Sequence, residues 1–271
     1  MVRTGWRPLG LAAAMAFVGT LGAVALASTS AMAQAYKCPK VGGDFVFGQE
    51  ANVNSLDQMT STTISTRNIA MNIFEALMAR DEGNNPITDL AESFTESADG
   101  LVYSFKIRQG VKFHNGKAMT SADVSASWDR YKRVAVERNI LDNVEKWETP
   151  DANTFVVTMK RRQPTFIEFI SSFSQPIVII PAEHKDDGPQ QLRTVGTGPW
   201  QLVEFLPGSH VRLKRNDAYT PNTKYTERTG FGGYKQACFN TVTFRIVTEA
   251  GARVAGLRTG ELHGVEDIPF I

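Results

Sequence analysis

Alternating apolar and polar residues predict a series of half-buried strands along the chain. The most regular alternation runs through Leu101–Arg108, where every second side chain is large and apolar. Trp200–Phe205 and His210–Lys214 are predicted to form a hairpin, because the Pro-Gly pair between them is typical of a type II turn. Ile177–Ile180 is interpreted as a brief buried strand or a link. The other predicted strands are Asp44–Gln49, Phe155–Met159, Val242–Val247 and Val265–Ile268.

Apolar residues at helical spacing predict four helices. The second helix begins at a capping box formed by Thr120 and Asp123, and the short third helix begins at Pro164. The fourth, Ala250–Thr259, lies between two predicted strands and therefore forms a βαβ unit with parallel strands. The side chains expected to face the core are Ile69, Ile73 and Leu77 of the first helix, Val124, Trp128, Tyr131 and Ala135 of the second, and Phe166, Ile170 and Phe173 of the third.

Residues Met1–Ala33 have the pattern of a secretory signal peptide. Two arginines are their only charged residues, and the 19 residues of Leu9–Ala27 contain no charge. The final Ala-Met-Ala has the small-residue spacing that precedes a cleavage site, which predicts cleavage between Ala33 and Gln34. The alternative is an uncleaved membrane anchor, because 19 residues nearly span a bilayer. Glycines dilute the run and no charged stop-transfer segment follows it, so we expect an exported protein.

Composition and charge narrow the functional classes. The 271 residues are 42% hydrophobic and 21% charged with a net charge of +1, which is typical of a soluble globular protein and excludes disordered and collagen-like chains. Removal of the signal peptide leaves 27 basic against 28 acidic residues. A nearly neutral chain has no electrostatic reason to bind nucleic acid or anionic lipid.

Two cysteines in an exported chain favour a disulfide. Cys38 precedes the strand Asp44–Gln49, and Cys238 precedes the strand Val242–Val247. If these strands are neighbours that run in the same direction, both cysteines lie at one edge of the same sheet. We therefore predict a Cys38–Cys238 disulfide that encloses 199 residues.

Motifs for catalysis, nucleotide binding and metal binding are absent from the sequence. Gly110–Ala118 has the wrong glycine spacing for a phosphate loop and lacks its hydroxyl residue. The four histidines are isolated, and no paired-cysteine or His-Glu-x-x-His spacing occurs, so neither a metal site nor a cofactor is expected. No Gly-x-Ser-x-Gly sequence supports a serine nucleophile. The glycines of Gly230–Gly233 are interpreted as a mobile loop rather than a ligand cradle.

Three stretches carry a set of recognisable motifs. The first comprises Leu90–Ser93 and Asp99–Trp128, with the run Gly-Val-Lys-Phe-His-Asn-Gly inside it. The second begins with Val-Gly-Thr-Gly-Pro-Trp at Val195–Trp200 and continues through the hairpin to Tyr219. The third is Val242–Ile246 followed by Arg253, Leu257, Gly260 and Glu261. Together they resemble the family 5 extracellular solute-binding proteins, the periplasmic peptide-, dipeptide- and nickel-binding receptors of ABC importers.

The resemblance implies an α/β fold in which helices and strands are mixed, with α+β parts. It consists of one lobe of the type II periplasmic-binding-protein architecture with an inserted α+β domain, and the second ligand-binding lobe is missing. Residues 34–52 would form the first part of lobe I, 53–175 the inserted family-specific domain and 176–271 the second part of lobe I. His114 would have a structural role in a turn of the inserted domain.

The function that the resemblance implies involves no covalent chemistry. A receptor of this kind captures a peptide or a similar small solute by closing two lobes over it and delivers the solute to a membrane permease. We expect a monomer that is not an enzyme. The alternatives are a nickel, haem or oligosaccharide receptor of the same family, a periplasmic enzyme, and a module that passes ligand occupancy to a membrane sensor.

Candidate ligand-binding residues follow from the topology that the resemblance implies. Loops at the carboxyl ends of parallel strands face the cleft in such folds, which selects Glu50, Asn52 and Asn54 after the first strand. Their alternative interpretation is a solvated loop. Thr197, in the Gly-Thr-Gly segment, is a further candidate, with a packing or turn role as its alternative. Because the resemblance covers only the first half of such a receptor, we expect this chain alone to bind its ligand weakly.

Overall fold

The helices and strands are described by a computed structural model for residues 35–268. The predicted signal peptide and its cleavage site lie outside these residues. Within this range the helices are α1 Ile64–Ile73, α2 Ser121–Val134, α3 Phe166–Ile170 and α4 Ala250–Thr259. The strands are β1 Asp44–Gln49, β2 Met78–Arg80, β3 Pro86–Thr88, β4 Ala91–Glu96, β5 Val102–Ile107, β6 Val144–Asp151, β7 Thr154–Met159, β8 Trp200–Leu206, β9 His210–Arg215, β10 Arg228–Thr229, β11 Gly232–Gly233, β12 Thr241–Ile246 and β13 Gly264–Val265. None of the helices in residues 35–268 has the length and hydropathy that crossing a membrane requires.

A five-stranded mixed sheet joins the beginning of the described chain to its end. Its strand order is β13-β1-β12-β9-β8. β1 pairs in parallel with β12, from Asp44 opposite Thr241 to Gln49 opposite Ile246, and also with β13. β12, α4 and β13 form the predicted βαβ unit, in which β1 lies between the two parallel strands. The predicted β8–β9 hairpin is confirmed, and its turn is closed by a hydrogen bond from Ser209 N–H to Leu206 O.

The two cysteines are joined at the amino-terminal ends of the paired strands. Cys38 and Cys238 form a disulfide between residues 200 positions apart, as their placement before β1 and β12 predicts. Backbone hydrogen bonds continue the pairing beside it. Gly42 N–H donates to Cys238 O, and Asn240 N–H donates to Gly43 O.

A second, antiparallel sheet has the strand order β4-β5-β7-β6 and packs against α2 and α3. The predicted alternation in β5 is confirmed, because Tyr103, Phe105 and Ile107 are buried. Trp128 of α2 contacts Phe155 of β7 with ring centroids 4.9 Å apart. The four side chains predicted to form the buried face of the second helix are all buried: Val124, Trp128, Tyr131 and Ala135.

The amino terminus of α2 has the predicted capping box with aspartate in place of glutamate. Thr120 N–H donates to Asp123 Oδ2 at 2.9 Å. The other carboxylate oxygen accepts the Lys117 ammonium at 2.7 Å and the Ala182 N–H at 2.9 Å. Asp123 therefore starts the helix and also holds the segment after residue 180 against it.

The prediction that the first helix extends to Leu77 is wrong. The helix ends at Ile73, and Phe74 has extended backbone with φ −109° and ψ 151°. Because Phe74 leaves the helix, Ile73 O has no partner four residues later and instead accepts the N–H of Gly198 at 2.9 Å. The chain after Ile73 instead pairs with other segments, and an isolated bridge joins Ala76 to Val178 of the buried link 177–180.

Two further element boundaries differ from prediction. The third helix begins at Phe166 rather than at Pro164, and Phe173, predicted to face inward from it, lies beyond its end and is partly exposed. The last strand is Gly264–Val265, shorter than predicted and shifted toward the amino terminus.

The predicted division into residues 34–52, 53–175 and 176–271 stays a prediction. The four-stranded sheet comes from residues 91–159, and the five-stranded sheet combines β1 with strands after residue 199. Buried residues of both sheets nevertheless belong to one continuous apolar core.

Replacement of both cysteines, Cys38→Ser with Cys238→Ser, is expected to lower the free energy of unfolding by about 2–4 kcal/mol, because the unfolded chain loses a long-range constraint. Urea denaturation of the exported protein with and without dithiothreitol measures this difference. The double variant is the control and should be insensitive to the reductant. Equal unfolding midpoints for the oxidised native protein and the double variant would contradict the prediction.

Candidate functional site

A groove of about 690 Å³ lies between α1 and one face of the five-stranded sheet. Its apolar floor is formed by alternate residues of β1 and β12, which their register places on the same face. Phe47 and Phe244, which lie opposite each other, have ring centroids 5.8 Å apart, and Phe45 lies 5.0 Å from Phe239. Phe45, Phe47 and Phe239 are at least partly exposed in the groove, whereas Phe244 is buried.

The polar wall of the groove comes from α1. Asn68 and Asn72 are one helical turn apart, beside the buried Ile69 and Ile73, so both amides are on the groove side of the helix. Asn68 Nδ2 donates to Glu266 Oε1 at 2.9 Å. The amphipathic spacing that buries the isoleucines therefore also supplies the groove with amide groups.

A smaller cavity of about 170 Å³ adjoins the groove. The two spaces share Asn68, Asn72, Trp200, Arg228 and Gln236 as lining residues. The smaller cavity is further lined by Arg67, Met71, Pro199, Phe231 and Lys235. An apolar groove therefore continues into a cavity that carries cationic side chains.

The glycine segment 230–233 is anchored, in contrast to the mobile loop that the sequence predicts. It closes the short β10–β11 hairpin, and Phe231 N–H donates to Arg80 O at 2.8 Å. Gly230 has a φ of +53°, and a Cβ atom there would lie 2.4 Å from Arg80 O. The Phe231 ring stacks on Phe173 at 4.5 Å. These contacts fix the hairpin that carries Arg228 to the cavity.

A buried ionic network lies behind the cavity and holds the segment that follows the hairpin. The Lys235 ammonium contacts Glu75 Oε1 at 3.1 Å and Asp89 Oδ2 at 2.8 Å. Glu75 also accepts hydrogen bonds from Thr197 Oγ1 at 2.9 Å and from the Tyr219 hydroxyl at 2.8 Å. One ammonium thus serves two buried carboxylates, and the hydroxyl groups satisfy the remaining capacity of Glu75.

The pKa values of the two carboxyl groups in this network are shifted in opposite directions. Burial raises the pKa of Asp89 to about 6, and the neighbouring negative charge of Glu75 adds to this effect against the attraction of Lys235. Burial also opposes ionisation of Glu75. The pKa of Glu75 nevertheless lies below its usual value. The effect of burial is outweighed by the Lys235 and Arg108 cations and by the hydrogen bonds from Tyr219 and Thr197.

Glu50, the first predicted site residue, lies where β1 ends. Its side chain is exposed to solvent, and Arg253 Nη2 approaches one of its carboxylate oxygens at 3.4 Å. Its N–H donates to Glu266 Oε2 at 3.1 Å. Since Glu266 also accepts from Asn68, the end of β1 is connected directly to the polar wall of the groove.

Asn52 and Asn54 lie in the same loop but border a different space. Both are exposed, and Asn52 Nδ2 donates to Asn54 Oδ1 at 3.1 Å. Asn52 Oδ1 accepts the N–H of Gly208 at 2.8 Å, which ties this loop to the β8–β9 turn. The two asparagines line a polar cavity of about 280 Å³ that is separate from the aromatic groove.

Thr197 is not brought together with the other three predicted site residues. Its side chain is buried, and its hydroxyl donates to Glu75 within the ionic network. The hydroxyl is therefore unexposed, and the ligand-binding role of Thr197 stays a prediction beside the packing alternative.

His114 joins the second sheet's loops to the Gly-Thr-Gly segment. Its Nδ1 accepts the N–H of Gly196 at 3.3 Å, and Nε2 lies 3.0 Å from Gly198 O. This pairing requires a neutral ring with the proton on Nε2, and burial lowers the pKa of His114 accordingly. The geometry agrees with the structural role expected for this residue.

Sequence reasoning missed the residues that line the groove and the adjoining cavity. The spacing of Asn68 and Asn72 beside the isoleucines was a usable signal for the two amides. Trp200, Arg228 and Gln236 carry no such signal, because only long-range packing brings β8 and the β10–β11 hairpin to α1.

Comparison with known proteins identifies the family. Residues 85–270 match the description "Bacterial extracellular solute-binding proteins, family 5 Middle". The chain belongs to this family, whose members are periplasmic or extracellular. It is 28% identical over 255 residues to the glutathione-binding protein GsiB of Escherichia coli (strain K12), a match that covers 92% of this chain and 46% of that protein.

Solved structures show the same architecture. AgaA from A. tumefaciens R10, in complex with agropinic acid, matches with a TM-score of 0.71 and 27% identity over 84% of this chain and 44% of that one. AppA from Bacillus subtilis, in complex with a nonapeptide, matches with a TM-score of 0.69 and 25% identity over 83% and 44%. The fold is therefore the mixed α/β fold of periplasmic binding proteins. The chain spans about half the length of the relatives it matches.

We expect the pKa of Asp89 to make the protein less stable as the pH rises from about 4 to about 6. The folded state keeps a proton on Asp89 up to about pH 6, whereas an unfolded aspartate releases it near its usual value of 3.8, so deprotonation favours the unfolded state in this window. Glu75, whose pKa is lowered, acts in the opposite direction below its usual 4.5.

The variant Asp89→Asn isolates the effect of Asp89, since an amide does not titrate. Urea denaturation at intervals between pH 4 and 7 should show a smaller decline of the unfolding free energy in this variant than in the native protein. Asp129→Asn, at an exposed position of α2, is the control and should retain the native profile. Parallel profiles for the native protein and Asp89→Asn would contradict the expectation.

Proposed function

We propose that this chain is part of the substrate-binding receptor of an ABC importer, which captures peptides or a similar small solute in the periplasm and delivers them to a membrane permease. The observation that carries the proposal is the groove between α1 and the five-stranded sheet in a chain of the family 5 fold. A large groove with a mainly apolar floor and a few amide and charged groups is typical of a small-molecule site.

The relatives support a small solute as the class of ligand, but they do not agree on one ligand. GsiB is named for binding glutathione, AgaA was crystallised with agropinic acid and AppA with a nonapeptide. A nickel, haem or oligosaccharide ligand and a ligand-sensing role remain the competing proposals for this chain. Native mass spectrometry of the complete receptor purified from the periplasm distinguishes them, because a retained peptide, metal complex or sugar differs in mass. Retention of a peptide or an amino-acid derivative is the expected result.

The length of this chain relative to its relatives leads to a proposal about its affinity for the ligand. We infer that the groove is one wall of the complete ligand site, since the chain covers less than half the length of these relatives. Two-lobe receptors bind by making contacts from both sides in the closed state.

Residues 34–271 alone are therefore expected to bind the ligand weakly. If a complete receptor binds with about −8 kcal/mol, half of its contacts leave about −4 kcal/mol, which is millimolar affinity. Isothermal titration calorimetry with the ligand found by mass spectrometry measures this value. Micromolar binding by residues 34–271 would show that this chain carries a sufficient site on its own.

As a second part of the ligand site, in the polar cavity separate from the groove, Asn52 and Asn54 are proposed to contact the ligand backbone through their amides. Replacing both by Ala in the complete receptor should weaken binding about thirtyfold, because two lost hydrogen bonds at about 1 kcal/mol each amount to about 2 kcal/mol. Asn139→Ala, at an exposed position distant in sequence, is the matched control. Unchanged affinity of the double variant would remove both residues from the site, and thermal unfolding checks that the contact to Gly208 is not needed for folding.

A further inference from the structure

Arg67 and Arg228 line the smaller cavity without a carboxylate partner among residues 35–268. The Arg67 guanidinium makes neither a side-chain hydrogen bond nor an ion pair within that range, and Arg228 donates only from Nε, to Gly230 O at 3.2 Å. Residues 1–34 contain neither Asp nor Glu. Two guanidinium groups that face one cavity without compensating charge repel each other and attract an anion.

The third cation of the cavity has a different environment. Lys235 is neutralised by Glu75 and Asp89, which lie behind it. Glu266, in the adjoining groove, uses both carboxylate oxygens for Asn68 and the N–H of Glu50. Glu266 does not line the smaller cavity, so the cations there that have no carboxylate partner among residues 35–268 are the two arginines.

Both arginines are held in position by contacts that leave donor groups available. The Arg67 guanidinium lies 5.1 Å from the centroid of the Phe173 ring, a cation–π contact that uses no N–H group. Phe173 is in turn stacked on Phe231 of the anchored hairpin. Arg228 belongs to that hairpin and is paired through its backbone with Gly233. Such pre-orientation reduces the entropy that a bound anion would otherwise have to offset.

We propose that Arg67 and Arg228 form a carboxylate subsite, and that the ligand is a small organic acid whose apolar part extends from this cavity into the aromatic groove. This inference rests on the proposed solute-binding function and adds the chemical class of the solute. Planar guanidinium groups match the geometry of a carboxylate through paired N–H donors. The cavity of about 170 Å³ takes a group of that size, and its continuity with the groove directs the rest of the molecule over Phe45 and Phe47.

The test compares two probes of nearly equal shape, N-acetyl-L-phenylalanine and its primary amide, by NMR titration of the isotope-labelled chain. The acid should bind about tenfold more tightly than the amide, because an ionic hydrogen bond contributes roughly 1.5 kcal/mol or more. Arg228→Gln and Arg67→Gln should each reduce this preference to less than about threefold, since each removes one of the two cations. Arg258→Gln, an exposed arginine of α4 outside the cavity, is the matched control and should retain the preference.

Equal affinity of the acid and the amide for the native chain would overturn the subsite while leaving solute binding intact. A preference that survives in both Gln variants would also overturn it. Binding of neither probe would overturn the subsite, and retention of a ligand in the native mass spectrum would then still support the proposed function. Titration with 3-phenylpropanoate separates two sources of the carboxylate, because tighter binding of the acetylated amino acid indicates a peptide carboxyl terminus and equal binding indicates a free organic acid.

Discussion

β1 forms its parallel pairs with strands that come from the last part of the chain. Almost 200 residues lie between the paired Asp44 and Thr241, so the chain must close a very long loop before this pairing contributes any stability. The disulfide constrains the same two segments. The aromatic floor of the groove, the end of β1 at Glu50 and the position of Glu266 after β13 all depend on this one long-range pairing.

Charge burial has a comparable organising role on the other side of α1. Lys235 lies between two carboxylates that come from different parts of the chain, and removal of Lys235 would leave two buried carboxylates without this cation. The network therefore fixes the segment after the glycine hairpin to the end of α1. The position of the cavity follows from this attachment, because the hairpin and the helix form its opposite walls.

Sequence patterns predicted the elements whose buried faces are strongly apolar. α2 combines a capping box with four core residues at helical spacing, and local rules were sufficient for it. β4 and β6 were missed because nearly all their side chains are partly or fully exposed, so their composition shows no period of two. The early end of α1 could not be predicted, since the partner of its last carbonyl is the N–H of Gly198, 125 residues away. The position of the loop after β1 could be predicted from strand topology. The positions of the cavity arginines could not, because they depend on packing between segments that are distant in sequence.

Gly196 and Gly198 limit how far this chain can diverge. A Cβ atom on Gly196 would lie 2.0 Å from Ile73 O, and one on Gly198 would lie 2.5 Å from Asn72 O. Both neighbours are backbone atoms at the end of α1, so no change of rotamer can relieve the overlap. Substitution of either glycine would require the helix, His114 and the cavity wall to move together. The two positions are therefore expected to remain glycine while the ligand-facing side chains vary around them, which would let one scaffold acquire new solutes.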